Sequence, residues 1–247
     1  MNLKTCFAST GSVLVGVALA SEGRRLPEGN SAHSLEAQPV ETSPAGMFVD
    51  DKPATNAFAR TASGNGVTVK VARQANPWIT TDGSNWMQNS SGIKSLLYDV
   101  AYGNGIFVAV GNEGAVVTSP DGVAWTVRNS RTDERLRGIV FAKEMFTAVG
   151  FAGTVITSKD GRKWNIRYSG TEERLQMVAY DRGTFVAVGW KGVIVTSKNG
   201  TSWTVRKSGG HERLDGIAYR GGRFVASITN RTARVSTDGV AWQKPEP

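Results

Sequence analysis

The sequence is almost without cysteine and histidine: its 247 residues contain one Cys, Cys6, and two His, His33 and His211. One cysteine cannot close an intramolecular disulfide or build a cysteine-rich zinc site. Two histidines with no H-E-x-x-H pair and no EF-hand loop leave none of the usual motifs for catalytic zinc or calcium, so no metal site is expected. No G-x-x-x-x-G-K-[ST] phosphate loop is present either, and neither a cofactor nor a catalytic residue is assigned. No apolar run reaches the length that spans a bilayer, and no run of five like charges occurs.

What charge there is carries a basic sign, +8 overall with a pI near 9.8. That balance favours acidic partners. The basic residues are dispersed, as on a solvated surface, and nucleic acid is not an expected partner. At the start, Lys4 precedes a short apolar run from Val13 to Leu19, and Ala18-Leu19-Ala20 reads as a cleavage signature. Residues 1–20 are therefore expected to be a signal peptide, placing the chain outside the cell or in the periplasm. Residues 21–47 are polar, with proline and glycine and no periodicity, and read as a disordered linker.

Abundance appears in glycine, 29 residues in all, and in repetition. Trp86, Trp125, Trp164, Trp203 and Trp242 are each 39 residues apart. Leu97, Leu136, Leu175 and Leu214 keep that step, as do Phe107, Phe146, Phe185 and Phe224. Five units of 39 residues thus cover 48–242, within a domain running over 48–247. Inside one unit, LRGIVF, MFTAVG, TVITS and KWNIRY are short β-rich runs separated by turn-sized segments. Four strands in about forty residues, repeated, describe an all-β β-propeller of about five four-stranded blades.

Each tryptophan closes a turn: ITTDGSNW, TSPDGVAW, TSKDGRKW, TSKNGTSW and VSTDGVAW. This repeated turn resembles the Asp-box, or BNR, repeat of sialidase-like propellers and of the photosystem II assembly factor family. It differs from the S-x-D-x-G-x-x-W form of that repeat in having Asp and Gly adjacent, and Asn199 stands for Asp in the fourth copy. The resemblance implies a structural role for Asp82, Asp121, Asp160, Asn199 and Asp238, at turns away from the ligand face.

The resemblance also places a ligand face at the loops leading into each inner strand and at the turns between strands two and three. In the first set Glu134-Arg135-Leu136, Glu173-Arg174-Leu175 and Glu212-Arg213-Leu214 recur at 39 residues. The arginines suit carboxylate, sulfate or phosphate. The glutamates, equal in number, could instead neutralise them in ion pairs that lock blade to blade. The second set contains Phe151 and the pair Trp190-Lys191, aromatic where small polar residues would serve, and His211 precedes Glu212. Arg128, Arg167 and Arg206 follow the tryptophans by three residues, where they would blunt sheet edges.

These groups describe an exported, non-catalytic binding protein or scaffold whose partner is a protein or an anionic glycan. The alternative is a sialidase-like glycoside hydrolase, against which the F-R-I-P motif is missing and Phe141 stands where Tyr102, Tyr180 and Tyr219 recur. If five blades do not close a ring within one chain, a second copy would complete it as a homo-oligomer.

Overall fold

The computed structural model describes residues 59–228 and 231–245. The expected signal peptide and linker lie outside the described residues. Among the described residues no helix is long and apolar enough to cross a membrane.

Five antiparallel sheets follow one another along the chain. The first contains β1 (Arg60–Gly64), β2 (Val67–Val71), β3 (Trp78–Thr80) and β4 (Met87–Gln88). The second contains β5 (Leu97–Gly103), β6 (Ile106–Gly111), β7 (Val116–Ser119) and β8 (Thr126–Arg128). The third repeats it with β9 (Leu136–Ala142), β10 (Met145–Gly150), β11 (Val155–Ser158) and β12 (Asn165–Arg167). The fourth has β13 (Leu175–Asp181), β14 (Thr184–Gly189), β15 (Ile194–Ser197) and β16 (Thr204–Arg206), with a 3-10 turn at Trp190–Gly192. The fifth has β17 (Gly216–Arg220), β18 (Arg223–Ile228) and β19 (Arg231–Ser236). Its fourth strand is reduced to one bridge between Val235 and Gln243, where the other sheets have two or three residues. The fold is the expected all-β propeller.

The inner strands β1, β5, β9, β13 and β17 pack each against the next, but β17 does not pack along β1 in the same way. The sheets curve round a central pit without closing into a ring. Near-continuous apolar strands are required because both faces of an internal blade are covered. Phe107, Phe146, Phe185 and Phe224 are each fully buried, and each seats against the preceding blade. At the two ends the pattern changes. In the first blade Thr68 and Lys70 occupy the register of Phe107 and Ala109, and the Lys70 ammonium lies 3.9 Å from the Trp86 ring centroid. In the fifth, Arg223 and Ser227 stand at the positions of Thr184 and Val188. Terminal repeats with polar outer faces are how repeat arrays stop.

The second to fifth tryptophan turns share one bonding scheme. In the third, Ser158 Oγ donates to Asp160 Oδ1 at 3.0 Å, and the same oxygen accepts the Arg162 and Lys163 N–H groups, each at 2.9 Å. The Trp164 indole then donates to Gly161 O at 3.0 Å. Backbone donors of this kind hold the carboxyls of Asp82, Asp121, Asp160 and Asp238 below the usual carboxylate range. Asn199 Oδ1 accepts the equivalent N–H groups of Thr201 and Ser202, each at 2.9 Å, so the amide replaces the carboxylate as acceptor. A second set of links runs between blades: Asn65 Nδ2, Asn104 Nδ2 and Lys143 Nζ donate to the carbonyls of Pro120, Lys159 and Lys198 at 3.0 to 3.1 Å.

Candidate functional site

The lead-in loops and the two-to-three turns share one face, and backbone bonds place them. Phe151 N donates to Arg135 O and Trp190 N to Arg174 O, each at 2.9 Å. Across the blade boundary, Gly114 N donates to Glu134 O and Gly153 N to Glu173 O, each at 3.0 Å. Each of these two Glu-Arg pairs therefore binds two successive blades through its main chain, leaving both side chains at the surface. Gly114 and Gly153 lie at positive φ, and a Cβ there would come within 1.8 Å of a carbonyl oxygen of the next loop. Only glycine fits both demands.

The arginine side chains do not pair with the glutamates beside them. Arg135 lies 4.8 Å from the Phe151 ring centroid and 5.8 Å from that of Tyr98. Arg174 lies 4.5 Å from both Phe151 and Trp190, and Arg213 lies 5.4 Å from Trp190. Arginine and aromatic ring alternate as Tyr98, Arg135, Phe151, Arg174, Trp190, Arg213. This ladder replaces the blade-locking Glu–Arg ion pairs that equal numbers of acid and base suggested. The glutamates go elsewhere. Glu173 meets Lys191 at 2.8 Å in an exposed pair, and Glu212 meets Arg234 at 2.8 Å. Glu134 is exposed, and so is His211. Arg213 Nε also reaches Asp215 Oδ1 at 2.6 Å. Among the described residues no carboxylate lies within ion-pair distance of Arg135 or Arg174.

Inside the ladder the pit is lined by residues that sequence reasoning missed. Tyr98, Arg137, Gln176 and Asp215 are successive 39-residue positions, joined there by Arg60 and Arg73. Arg137 Nε donates to Gln176 Oε1 at 3.1 Å, and its guanidinium lies 4.3 Å from the Tyr98 ring centroid. Burial and the neighbouring Arg73 hold the Arg137 guanidinium below its ordinary value. Asp99 follows, 5% exposed, with Val100 N donating to Oδ1 and Ile139 N to Oδ2, each at 2.9 Å. Burial pushes the Asp99 carboxyl up to about 6, with Arg60 opposing. A readable signal existed: Asp99 falls in register with Arg60, Gly138, Met177 and Gly216, the only acidic member of that set.

Arg234 was also missed. It stands where Val117, Ile156 and Val195 fill the core, yet it is 3% exposed. Its guanidinium donates to Ser208 O, Ala233 O, Gly209 O and Glu212 Oε2 at 2.6 to 3.1 Å, fixing the loop that carries Glu212. Tyr102 and Tyr180 pack tilted against Phe107 and Phe185, Tyr219 packs edge-on against Phe224, and Phe141 packs tilted against Phe146. A tyrosine position that phenylalanine fills in one copy is a packing position. Arg128, Arg167 and Arg206 each turn Nε onto a threonine of the adjacent strand, at 2.8 to 3.0 Å.

No protein-family model matches the chain, and no curated protein matches it. Solved structures do resemble it. A YCF48 bound to a D1 peptide superposes with a TM-score of 0.55 at 19% identity, over 76% of this chain and 66% of that one. YCF48 from Cyanidioschyzon merolae gives 0.55 at 13%, over 75% and 70%. The WD40 propeller domain of Doa1 gives 0.57 at 10%, over 74% and 65%. The chain thus spans about two thirds of each of these solved chains. They define the class: this is a β-propeller.

Proposed function

We propose that the chain is an exported, non-catalytic propeller that binds a protein partner through the ladder face, by an acidic segment of that partner. The observation that carries this reading is the state of Arg135 and Arg174. Their guanidinium carbons lie 4.5 to 5.8 Å from the ring centroids of Tyr98, Phe151 and Trp190, and no carboxylate among the described residues lies within ion-pair distance of them. A guanidinium held against aromatic rings is preorganised, and its planar fork is a bidentate donor for a carboxylate. Repetition of the unit along the arc suits several acidic side chains in succession. The peptide bound to YCF48 in the solved structure supports a peptide as the form of ligand.

The test is calorimetric titration of an acidic peptide into the full chain and into Arg174→Ala. Loss of roughly tenfold or more in affinity is expected on removing one guanidinium. Equal affinity for both proteins overturns the reading, and binding of a sulfated glycan in place of the peptide moves the ligand to the anionic glycans.

A further inference from the structure

On the outer rim, away from the ladder, the boundary between the fourth and fifth blades has a hydroxyl, Thr184, where the earlier blades have Val67, Ile106 and Met145. In the second and third blades, Ile106 and Met145 fill the space beneath the glycine of the next blade's tryptophan turn: a Cβ on Gly161 would meet Ile106 Cδ1 at 2.7 Å, and one on Gly200 would meet Met145 Cε at 2.3 Å. In the fourth blade the same position is Thr184, a shorter side chain than either. A Cβ on Gly239 would meet Thr184 Cγ2 at 3.4 Å, and beside this contact lies a cleft of about 180 Å³ between the fourth blade and Val240 of the fifth.

Cations line it. The Lys198 ammonium is held 2.6 Å from Thr184 Oγ1, which uses one of its three donors. Arg206 Nε is fixed 2.8 Å from Thr196 Oγ1, leaving its terminal N–H groups. Among the described residues neither cation lies within ion-pair distance of a carboxylate. The residues lining it include no carboxylate. Four of the five tryptophan turns carry aspartate; the one lining this cleft carries Asn199. Its Oδ1 takes over the turn bonds, and Nδ2 stands as a donor in place of the second carboxylate oxygen. The hydroxyls of Ser202 and Thr204 complete the lining.

Two departures from the repeat thus coincide at one place: one supplies a hydroxyl that holds Lys198, and the other removes a negative charge beside two cations. We propose that this cleft is a binding site for a tetrahedral oxyanion, a phosphate or phosphate monoester, held by Lys198, Arg206 and Asn199. Such a ligand matches a compact set of N–H and O–H donors with no opposing carboxylate.

Inorganic phosphate titrated calorimetrically into the full chain, at ionic strength held constant with chloride, tests the site. Saturable binding is expected, weakened roughly tenfold or more in Thr184→Ile and in Asn199→Asp. Both variants restore residues that other repeats already carry, so the fold tolerates them. Arg174→Ala is expected to bind phosphate as the parent does, which separates this site from the ladder. O-phosphoserine in a parallel titration distinguishes a phosphoryl group carried on a side chain, if it also binds, from the free ion alone; either supports the site. Phosphate binding that is absent in the parent chain, or undiminished in both variants, overturns it.

Discussion

The guanidinium carbon of Arg174 lies 4.5 Å from the Trp190 ring centroid. The two residues belong to different loops of the fourth blade, the lead-in and the two-to-three turn, and Trp190 N donates to Arg174 O. One main-chain bond thus sets the distance at which one cation–π contact forms, and the same pair of features recurs at Arg135 and Phe151. Removing the ring tests that coupling. Trp190→Ala leaves Arg174 with Phe151 alone. An acidic peptide should bind about threefold to tenfold more weakly, consistent with about 1 kcal/mol for an exposed cation–π contact. Fluorescence-detected peptide titration reads it, and unchanged affinity separates the ring from the site.

Asp99 and the turn aspartates push stability in opposite directions with pH. Asp99 titrates at about 6 in the folded chain against an ordinary value of 3.8, so its ionised form costs stability at neutral pH. That cost fades as pH falls through about 6 and is gone below about 4. Stability to urea should therefore rise from about pH 7 to about pH 5, by an amount on the order of 1 kcal/mol. Asp99→Asn should lack the rise. Parallel pH profiles for the two proteins would contradict the assignment.

Asp121, Asp160 and Asp238 have folded values held below 3.8, so their contribution is full above about pH 4 and is lost as pH falls further. Asp160→Ala removes one acceptor from three donors and should cost roughly 2 kcal/mol in denaturant unfolding. Asp160→Asn keeps the acceptor, as Asn199 does, and should cost much less at neutral pH. Equal losses in the two variants would show that the hydrogen bonds are not what the turn needs.

Arg234→Val restores the residue type of Val117 and Val195. It also leaves the carbonyls of Ser208 and Gly209 and the Glu212 carboxylate without their donor. A loss of roughly 1–3 kcal/mol is expected, with faster amide exchange in residues 208–212 than elsewhere. Uniform exchange through the chain would place the role of Arg234 in general packing instead.

Much of the fold could be read from one observation, the 39-residue spacing of the tryptophans, because each period contains one blade and four of the five repeat a core leucine and phenylalanine. The fifth blade's reduced fourth strand was less readable, since Trp242 is present there and only the bonding beyond it differs. The ladder was half legible. Arg135, Arg174, Phe151 and Trp190 could be named from their repeat positions, but their partners could not. Equal numbers of Glu and Arg suggested ion pairs, and only the placement of successive lead-in loops beside the two-to-three turns shows arginine meeting aromatic. Asp99 and Arg234 were hidden for another reason. Each is a charged residue in a repeat column that is uncharged in the neighbouring blade that follows or precedes it, and bonds such as those to Ile139 N and Ser208 O reach main chain that sequence distance does not bring near.

The central claim is that the stacked guanidinium edges, rather than positive charge alone, recognise the partner. Changing Arg135 and Arg174 together to lysine keeps both charges and removes both planar forks. The decisive measurement is the Kd of one acidic peptide for this double variant and for the parent chain, at the same salt. The account expects a loss of about tenfold or more. Equal affinity would mean that charge suffices and that the ladder geometry has no part in recognition.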